Sequence, residues 1–429
     1  MNRLGTLGSE SLRTVDERRI VENLLVGGWA YELREGACAE AREATSAALA
    51  RWVHAGLPVS RGAAGERFYD PVEVVNFMKL SGLRDRDPFW TERFLSTGRR
   101  FVLAQDESWL ARGVPGLVEG LGPRRFRVTM TRTFDLSSLA PGRSVRLRLP
   151  LPVEDGALDE MTLELVVDGI PVSFSRIPGR LEARLDVPEI QKVSLGWRAE
   201  FTARPSAADG APLDEESLAL YTRPSEGFVR VTPRVSGLAH ELAGEGASRN
   251  DKVRAFWNFI LDHALIGPIH YHEIDMARAP DWLLDNVWMD CQMGSAVLVS
   301  LCRAAGIPAR VVGGNMLYPL APTNHYWAEI WFEGEGWAPY DLLAWDLSNG
   351  GRDAAWRDCF AGRLDYRMKT LIMPRIFLGP MSLALPAQWH VLVEPAANGL
   401  VIGLGDAASG RAVYRDEINV ETPGLPPGA

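Results

Sequence analysis

Four cysteines in 429 residues, with no CxxC pair among them, give neither a disulfide framework nor the usual ligand set of a structural zinc. Long apolar runs are missing as well: nothing approaches the ~18 residues needed to span a bilayer. Residues 1–19 mix arginines with Glu10, Asp16 and Glu17 and hold no apolar stretch, so they do not read as a secretory signal. Nor is there an excess of positive charge. Forty-six Lys and Arg against 55 Asp and Glu give a net charge of −9, which argues against gripping nucleic acid through its phosphates. No internal repeat is present. These absences lead to the expectation of a soluble, cytoplasmic protein that works without membrane or nucleic acid. What the chain does have is apolar substance, 46% hydrophobic against 24% charged, which excludes general disorder. At roughly 150 residues per domain, the length suggests about three domains.

Residues 1–120 read as a helical domain. Ile20, Leu24, Leu25 and Trp29 recur at helical spacing, Leu49, Trp52 and Val53 share a side of 41–53, and Asp70-Pro71 opens 72–80. No chemistry announces itself there, which leaves packing or partner docking. Over 121–205 the period becomes two: Phe126, Val128, Met130 and Phe134, then Val145, Leu147 and Leu149, then Leu181, Ala183 and Leu185. Strands of that kind, with Asp168-Gly169 as a turn, predict a β-sandwich. Arg125, Arg127, Arg146 and Arg148 face outward and read as solvated, edge-protecting charges rather than as a docking face for an acidic partner. Residues 206–218 read as a linker. Within 219–346, Asn250 or Asp251 caps a helix with Val253, Phe256, Trp257, Ile260 and Leu261 on one face. A helix over 291–305 stops at Gly306, and strands at 325–332 and 337–342 follow. Residues 347–429 read as a β-rich extension of that core, with strands at 389–393, 399–404 and 412–414.

Cys291 stands where the chain enters a helix. Such a position favours thiolate over thiol and offers N–H groups to an oxyanion. Asp290 opposes this unless its carboxylate is occupied in capping. Free cysteine is also among the most buried residue types, so taken alone Cys291 reads as nucleophile or as inert filler. Cys302 lies about three turns and ~16 Å further along the same helix, too far for a disulfide, and is expected in the core. Cys38 and Cys359 receive no role. A thiol needs a base and the base needs an orienting group, for which His325 and Asp341 are the candidates. Register decides between two cases. A two-residue loop at Gly334-Glu335 puts His325 and Asp341 on opposite faces; a three-residue loop puts Asp341 opposite Trp327, diagonal to His325 and within side-chain reach. A rival constellation is His270, His272, Glu273 and Asp275, which with His263 or His325 could hold a metal, although histidines at a core edge are the plainer reading.

Asp290-Cys291, LCRAAGIPARVVGG at 301–314 and NHYWAEIWFEGEGWAPYDLL at 324–343 together resemble the transglutaminase-like superfamily of the papain-like fold. In that family a cysteine opens a helix and an arginine–alanine–glycine–isoleucine–proline stretch ends it. A histidine then leads a strand, and an aspartate follows a glycine–tryptophan turn. Thr222-Arg223-Pro224-Ser225, a helix at 251–264 and Tyr271 also fit. The likeness is good over 220–345, loose over 124–205, and leaves 1–120 and about the last eighty residues unexplained. It implies an α+β fold: a transglutaminase-like catalytic core, preceded by a β-sandwich domain, as is common in bacterial members, and by an N-terminal helical domain.

The resemblance implies acyl transfer through a thioester. Cys291 would be the nucleophile, His325 the base and later the acid, and Asp341 the group orienting the imidazole. The N–H of Cys291 would serve as one oxyanion donor, with Tyr271 and Trp288 as candidates for a second. No cofactor and no metal are called for. The expected partners are an acyl donor (amide, ester or carrier-bound thioester) and an amine or water acceptor, with a carrier or other protein at the helical domain. Eight of the fourteen tryptophans lie between Trp257 and Trp356, an aromatic setting that favours an amine over water. Amide formation, as in amide synthases of natural-product biosynthesis, is therefore placed ahead of hydrolysis by a peptidase or amidase; a non-catalytic binding scaffold is the remaining reading. Gly294, early in the nucleophile helix, costs about 1 kcal/mol relative to alanine unless something approaches it closely.

Overall fold

A computed structural model describes residues 15–18, 20–21, 35–69, 74, 77, 124–203 (apart from 138, 154–157, 168–171, 178–179 and 190–191), 211–266, 274–317, 324–342, 354–363, 367–372, 391–393 and 414–421. In the first part helix α1 (Glu35–His54) is accompanied by a three-stranded antiparallel sheet of Val15–Asp16, Arg67–Tyr69 and Ser60–Arg61. The reading of a mostly helical domain gives no sign of this sheet, because strands of two or three residues are too short to show alternation. Leu49 and Trp52 are buried as expected. Leu24, Leu25, Trp29 and most of 72–80 lie outside the described residues.

Six strands follow: β1 (Arg124–Asp135), β2 (Ser144–Pro150), β3 (Leu158–Val167), β4 (Ser173–Ile177), β5 (Arg180–Asp186) and β6 (Lys192–Ala203). Their apolar alternates, Phe126 to Phe134, Val145 to Leu149, Leu181 to Leu185 and Val193 to Phe201, are buried in one cluster, as two facing sheets require. Arg132 takes an inward position in this pattern and donates from Nη1 to the Arg148 carbonyl at 3.0 Å. The outward arginines differ from the expected solvated set. Arg127 and Arg125 pair with Glu200, but Arg148 is buried with its Nε 2.7 Å from Glu182, since that carboxylate gives it a partner away from water.

Asp214 accepts from the Ser217 N–H and starts α2 (Glu215–Thr222), so the linker expected over 206–218 gives way to helix at 215. Next come α3 (Pro233–Ala243) and α4 (Arg249–His263). The cap of α4 is Ser248 rather than Asn250 or Asp251; Asp251 instead answers it from the third helical position in a capping box. The five apolar residues predicted for its inner face are all buried. Then α5 (Ala279–Asn286) leads into α6 (Cys291–Ala304), which is buried from Gln292 to Arg303. This helix packs on an antiparallel sheet of β7 (Ala309–Met316), β8 (Asn324–Phe332), β9 (Gly336–Tyr340) and β10 (Arg367–Ile372), in the order β9-β8-β7-β10.

The tail does not simply extend this core. Among the described tail strands only β10 joins the core sheet. β11 (Val391–Val393) pairs with β2 and β12 (Tyr414–Glu421) with β1, so the sandwich sheets run β11-β2-β5-β4 and β12-β1-β6-β3. The physical reason is edge closure: each C-terminal strand satisfies the open backbone groups of a sandwich strand. The strand expected at 399–404 lies outside the described residues. No described helix is long and apolar enough to cross a membrane.

Two glycines set the spacing of the core. A Cβ at Gly294 would lie 2.2 Å from Leu342 Cδ1 and 3.0 Å from Met289 Sδ, both buried, which is the close approach that its place in a helix requires. At Gly314 a Cβ would lie 1.9 Å from the Met368 carbonyl oxygen, where the pairing of β7 with β10 shifts register. Backbone cannot yield as a side-chain tip can. Gly314→Ala is therefore expected to cost about 2 kcal/mol or more in denaturant unfolding, whereas a loss below about 0.5 kcal/mol would contradict this packing.

Candidate functional site

The hairpin settles the register. Gly336 pairs with Phe332, leaving Glu333, Gly334 and Glu335 as a three-residue loop, with Gly334 and Gly336 at φ +83° and +84°. Ala328 pairs with Tyr340, and one residue further this register sets Asp341 against Trp327, diagonal to His325. The Asp341 backbone is tied down by its N–H to the Phe360 carbonyl at 3.0 Å. His325 Nε2 then meets Asp341 Oδ1 at 2.6 Å.

The other ring nitrogen is left for the thiol, and Cys291 is hydrogen-bonded to the imidazole. Cys291 opens α6 and is half-buried, while His325 and Asp341 are buried. The Asp290 carboxylate caps the helix, accepting from the Met293 N–H at 2.8 Å. That hydrogen bond occupies the charge which would otherwise oppose a thiolate one residue on. Just upstream, Val287 ends α5 at φ 54°, the single non-glycine residue with positive φ among those described. A β-branched residue in that region is strained, and here the strain lies four residues from the thiol.

Burial by itself would lower the pKa of His325; Asp341 and then Cys291, through charge and hydrogen bonding, outweigh it, and the imidazole is pushed up to about 10. Burial would likewise raise Asp341, yet His325 and then Arg367 hold its carboxyl well below the ordinary carboxylate range. Arg367 donates to Asp341 Oδ2 from Nη2 at 2.8 Å and from Nε at 3.3 Å. Trp327 stacks near the imidazole (centroids 6.4 Å apart, planes 21°) and also receives Arg367, whose guanidinium carbon is 5.5 Å from the indole. Further along the same face of β8, Glu329 is gripped by Arg310 at 2.6 and 2.8 Å and by Lys369 at 2.9 Å, all three buried.

Cys291, His325 and Asp341 are thus brought together. Tyr271 lies outside the described residues, as do His270, His272 and Glu273. Trp288 is described only as backbone in a two-residue strand, Trp288–Met289. Asp275 caps the short 3-10 helix Met276–Arg278, and His263 Nδ1 lies 2.8 Å from the Phe259 carbonyl. Among the described residues no group of three or more His, Cys, Asp or Glu is placed to hold a metal ion. Arg367 is the residue that sequence reasoning missed. Its one signal was the period-two placing of Arg367 and Lys369 in a short strand, which names no partner.

The description that matches this chain is the transglutaminase-like superfamily, over residues 236–342. The chain carries a transglutaminase-like core. That superfamily includes cysteine proteases and acyltransferases. Three of the solved structures similar to the chain illustrate the likeness. One is a candidate cysteine protease from Cytophaga hutchinsonii (14% identity, TM-score 0.44, covering 71% of this chain and 92% of that one). Another is the periplasmic domain of TgpA from Pseudomonas aeruginosa (18%, 0.32, 57% and 96%). The third is red sea bream transglutaminase (14%, 0.26, 49% and 49%). No protein with a curated description matches. The matched span of the transglutaminase-like core holds Cys291, His325 and Asp341 but ends before β10, so Arg367 comes from outside it.

The raised pKa of His325 fixes a pH signature. Its charged form is favoured by the fold, so the stability it contributes is complete below the ordinary 6.5 and is lost as pH rises through about 10. The His325 imidazole resonances should accordingly show their alkaline step near 10 in a pH titration. In Asp341→Asn the step is expected to move down by about one to two pH units. A step near 6.5 in the unsubstituted chain would contradict the ion pair.

Proposed function

We propose that this protein catalyses acyl transfer through a thioester on Cys291, forming or exchanging an amide bond. The observation that carries the reading is the single imidazole bonded on one side to a half-buried thiol and on the other to a buried carboxylate. A binding scaffold has no use for that arrangement, which sets a thiol beside a base with its own orienting carboxylate.

Cys291 Sγ attacks the carbonyl carbon of the acyl donor, and the oxygen takes up negative charge within reach of the N–H groups at the start of α6. The carbon–nitrogen, carbon–oxygen or carbon–sulfur bond to the leaving group then breaks as His325 gives that group its proton. A thioester and a neutral imidazole remain. An acceptor loses its proton to His325 and attacks the thioester, and the thiolate returns. Asp341 keeps the imidazole in one tautomer and in plane throughout.

Two observations favour an amine over water as acceptor. The imidazole is buried, and Trp327 covers the strand residue diagonal to Asp341, so little water stands beside the base. Hydrolysis is the second reading, favoured by the cysteine proteases within the superfamily.

Incubation with an acyl thioester should add the acyl mass to the intact chain, and Cys291→Ala should abolish the gain. Turnover in that variant should fall by about three orders of magnitude, some 4 kcal/mol in the barrier. With a primary aliphatic amine present, the amide should exceed the free acid. Undiminished turnover by Cys291→Ala would sink the proposal, and free acid as the sole product would select hydrolysis.

A further inference from the structure

We propose that Arg367 is a positioning residue for this centre: from a strand beyond the matched core it fixes the Asp341 carboxylate so that one oxygen is always presented to His325. The inference rests on the acyl-transfer reading and extends it to a fourth side chain. The two carboxylate oxygens have separate partners. Oδ1 lies 2.6 Å from His325 Nε2, and Oδ2 accepts both Nη2 and Nε of Arg367 at 2.8 and 3.3 Å. Neither Asp341 nor the guanidinium has appreciable contact with water, their side chains being 0% and 4% exposed.

How the arginine arrives is visible in the backbone. Arg367 begins β10 opposite Met316, two strands from His325. The glycine at 314 lies opposite His325 and lets β10 approach where the register shifts. The stem of Arg367 can then cross towards Asp341 while its head rests near the Trp327 ring. A planar fork that makes two bonds to one oxygen fixes direction as well as charge; an ammonium would supply charge alone.

Removing the arginine leaves a buried carboxylate with one oxygen short of its cation. Such a group either takes up a proton or turns away, and both weaken its hold on the imidazole. The charged and titratable groups around this point are Cys291 from α6, Asp341 from the end of β9 and Arg367 from β10. Further along the sheet lie Glu329, Arg310 and Lys369. If Arg367 acted merely as a nearby positive charge, its loss would make His325 easier to protonate. If it positions Asp341, its loss makes His325 harder to protonate. The two roles have opposite signs.

The test is the alkaline step of the His325 imidazole resonances during a pH titration, with alkylation of Cys291 by iodoacetamide followed alongside. In Arg367→Met the step should fall by about one pH unit or more. Arg367→Lys should show a smaller fall, and Arg367→Met added to Asp341→Asn should produce no further fall. A step that stays in place or rises in folded Arg367→Met overturns the proposal, as does an equal additional fall in the Asp341→Asn background. Should Arg367→Met fail to fold, an unmoved step in Arg367→Lys overturns it instead. A Cys291 that is never alkylated in the unsubstituted chain counts against the acyl-transfer reading, and the imidazole titration still decides the role of Arg367.

Discussion

A carboxylate without access to water is tolerated in a protein only when both oxygens are answered, and Asp341 is such a group. Its demands organise the core. The hairpin loop must have three residues, so that Asp341 falls diagonal to His325 rather than on the opposite face. Residue 360 must hold its backbone, and β10 must come close enough to deliver a guanidinium. Gly294 and Gly314 belong to the same requirement, since each marks a place where a methyl group would hold apart two elements that carry parts of the centre.

The centre itself was largely legible in the sequence. Cys291 at a helix start, His325 at a strand start and Asp341 after a glycine-flanked turn are short-range patterns, and each depends on its own neighbours. Register was the open choice for Asp341, and Gly334 with Gly336 already permitted the case that the structure adopts. Asp290 was legible in kind as well: whether it opposed the thiolate or capped the helix was a local question, and its bond to Met293 answers it.

Long-range pairing was not legible. The tail strands carry an ordinary alternation that does not say which edge they will close, so placing them beside the core by proximity in sequence assigned β11 and β12 to the wrong sheet. Arg367 and the Lys369–Glu329–Arg310 cluster escaped for a related reason. Charged residues in a strand ordinarily signal a solvated face, and only the fold reveals that these are buried with partners. Arg148 misled in the same way.

Closure of the sandwich by its last strand has a consequence for how the molecule is made. Arg127 and Glu421 meet across 294 residues of chain, and the whole of the core is synthesised between them. During translation β1 emerges early, and this edge stays unpaired until β12 has been made. Contacts of such sequence separation are slow to form and leave strand edges open to other chains in the meantime. A ribosome that stops short of residue 414 therefore leaves damage far from the break, at the outer edge of β1.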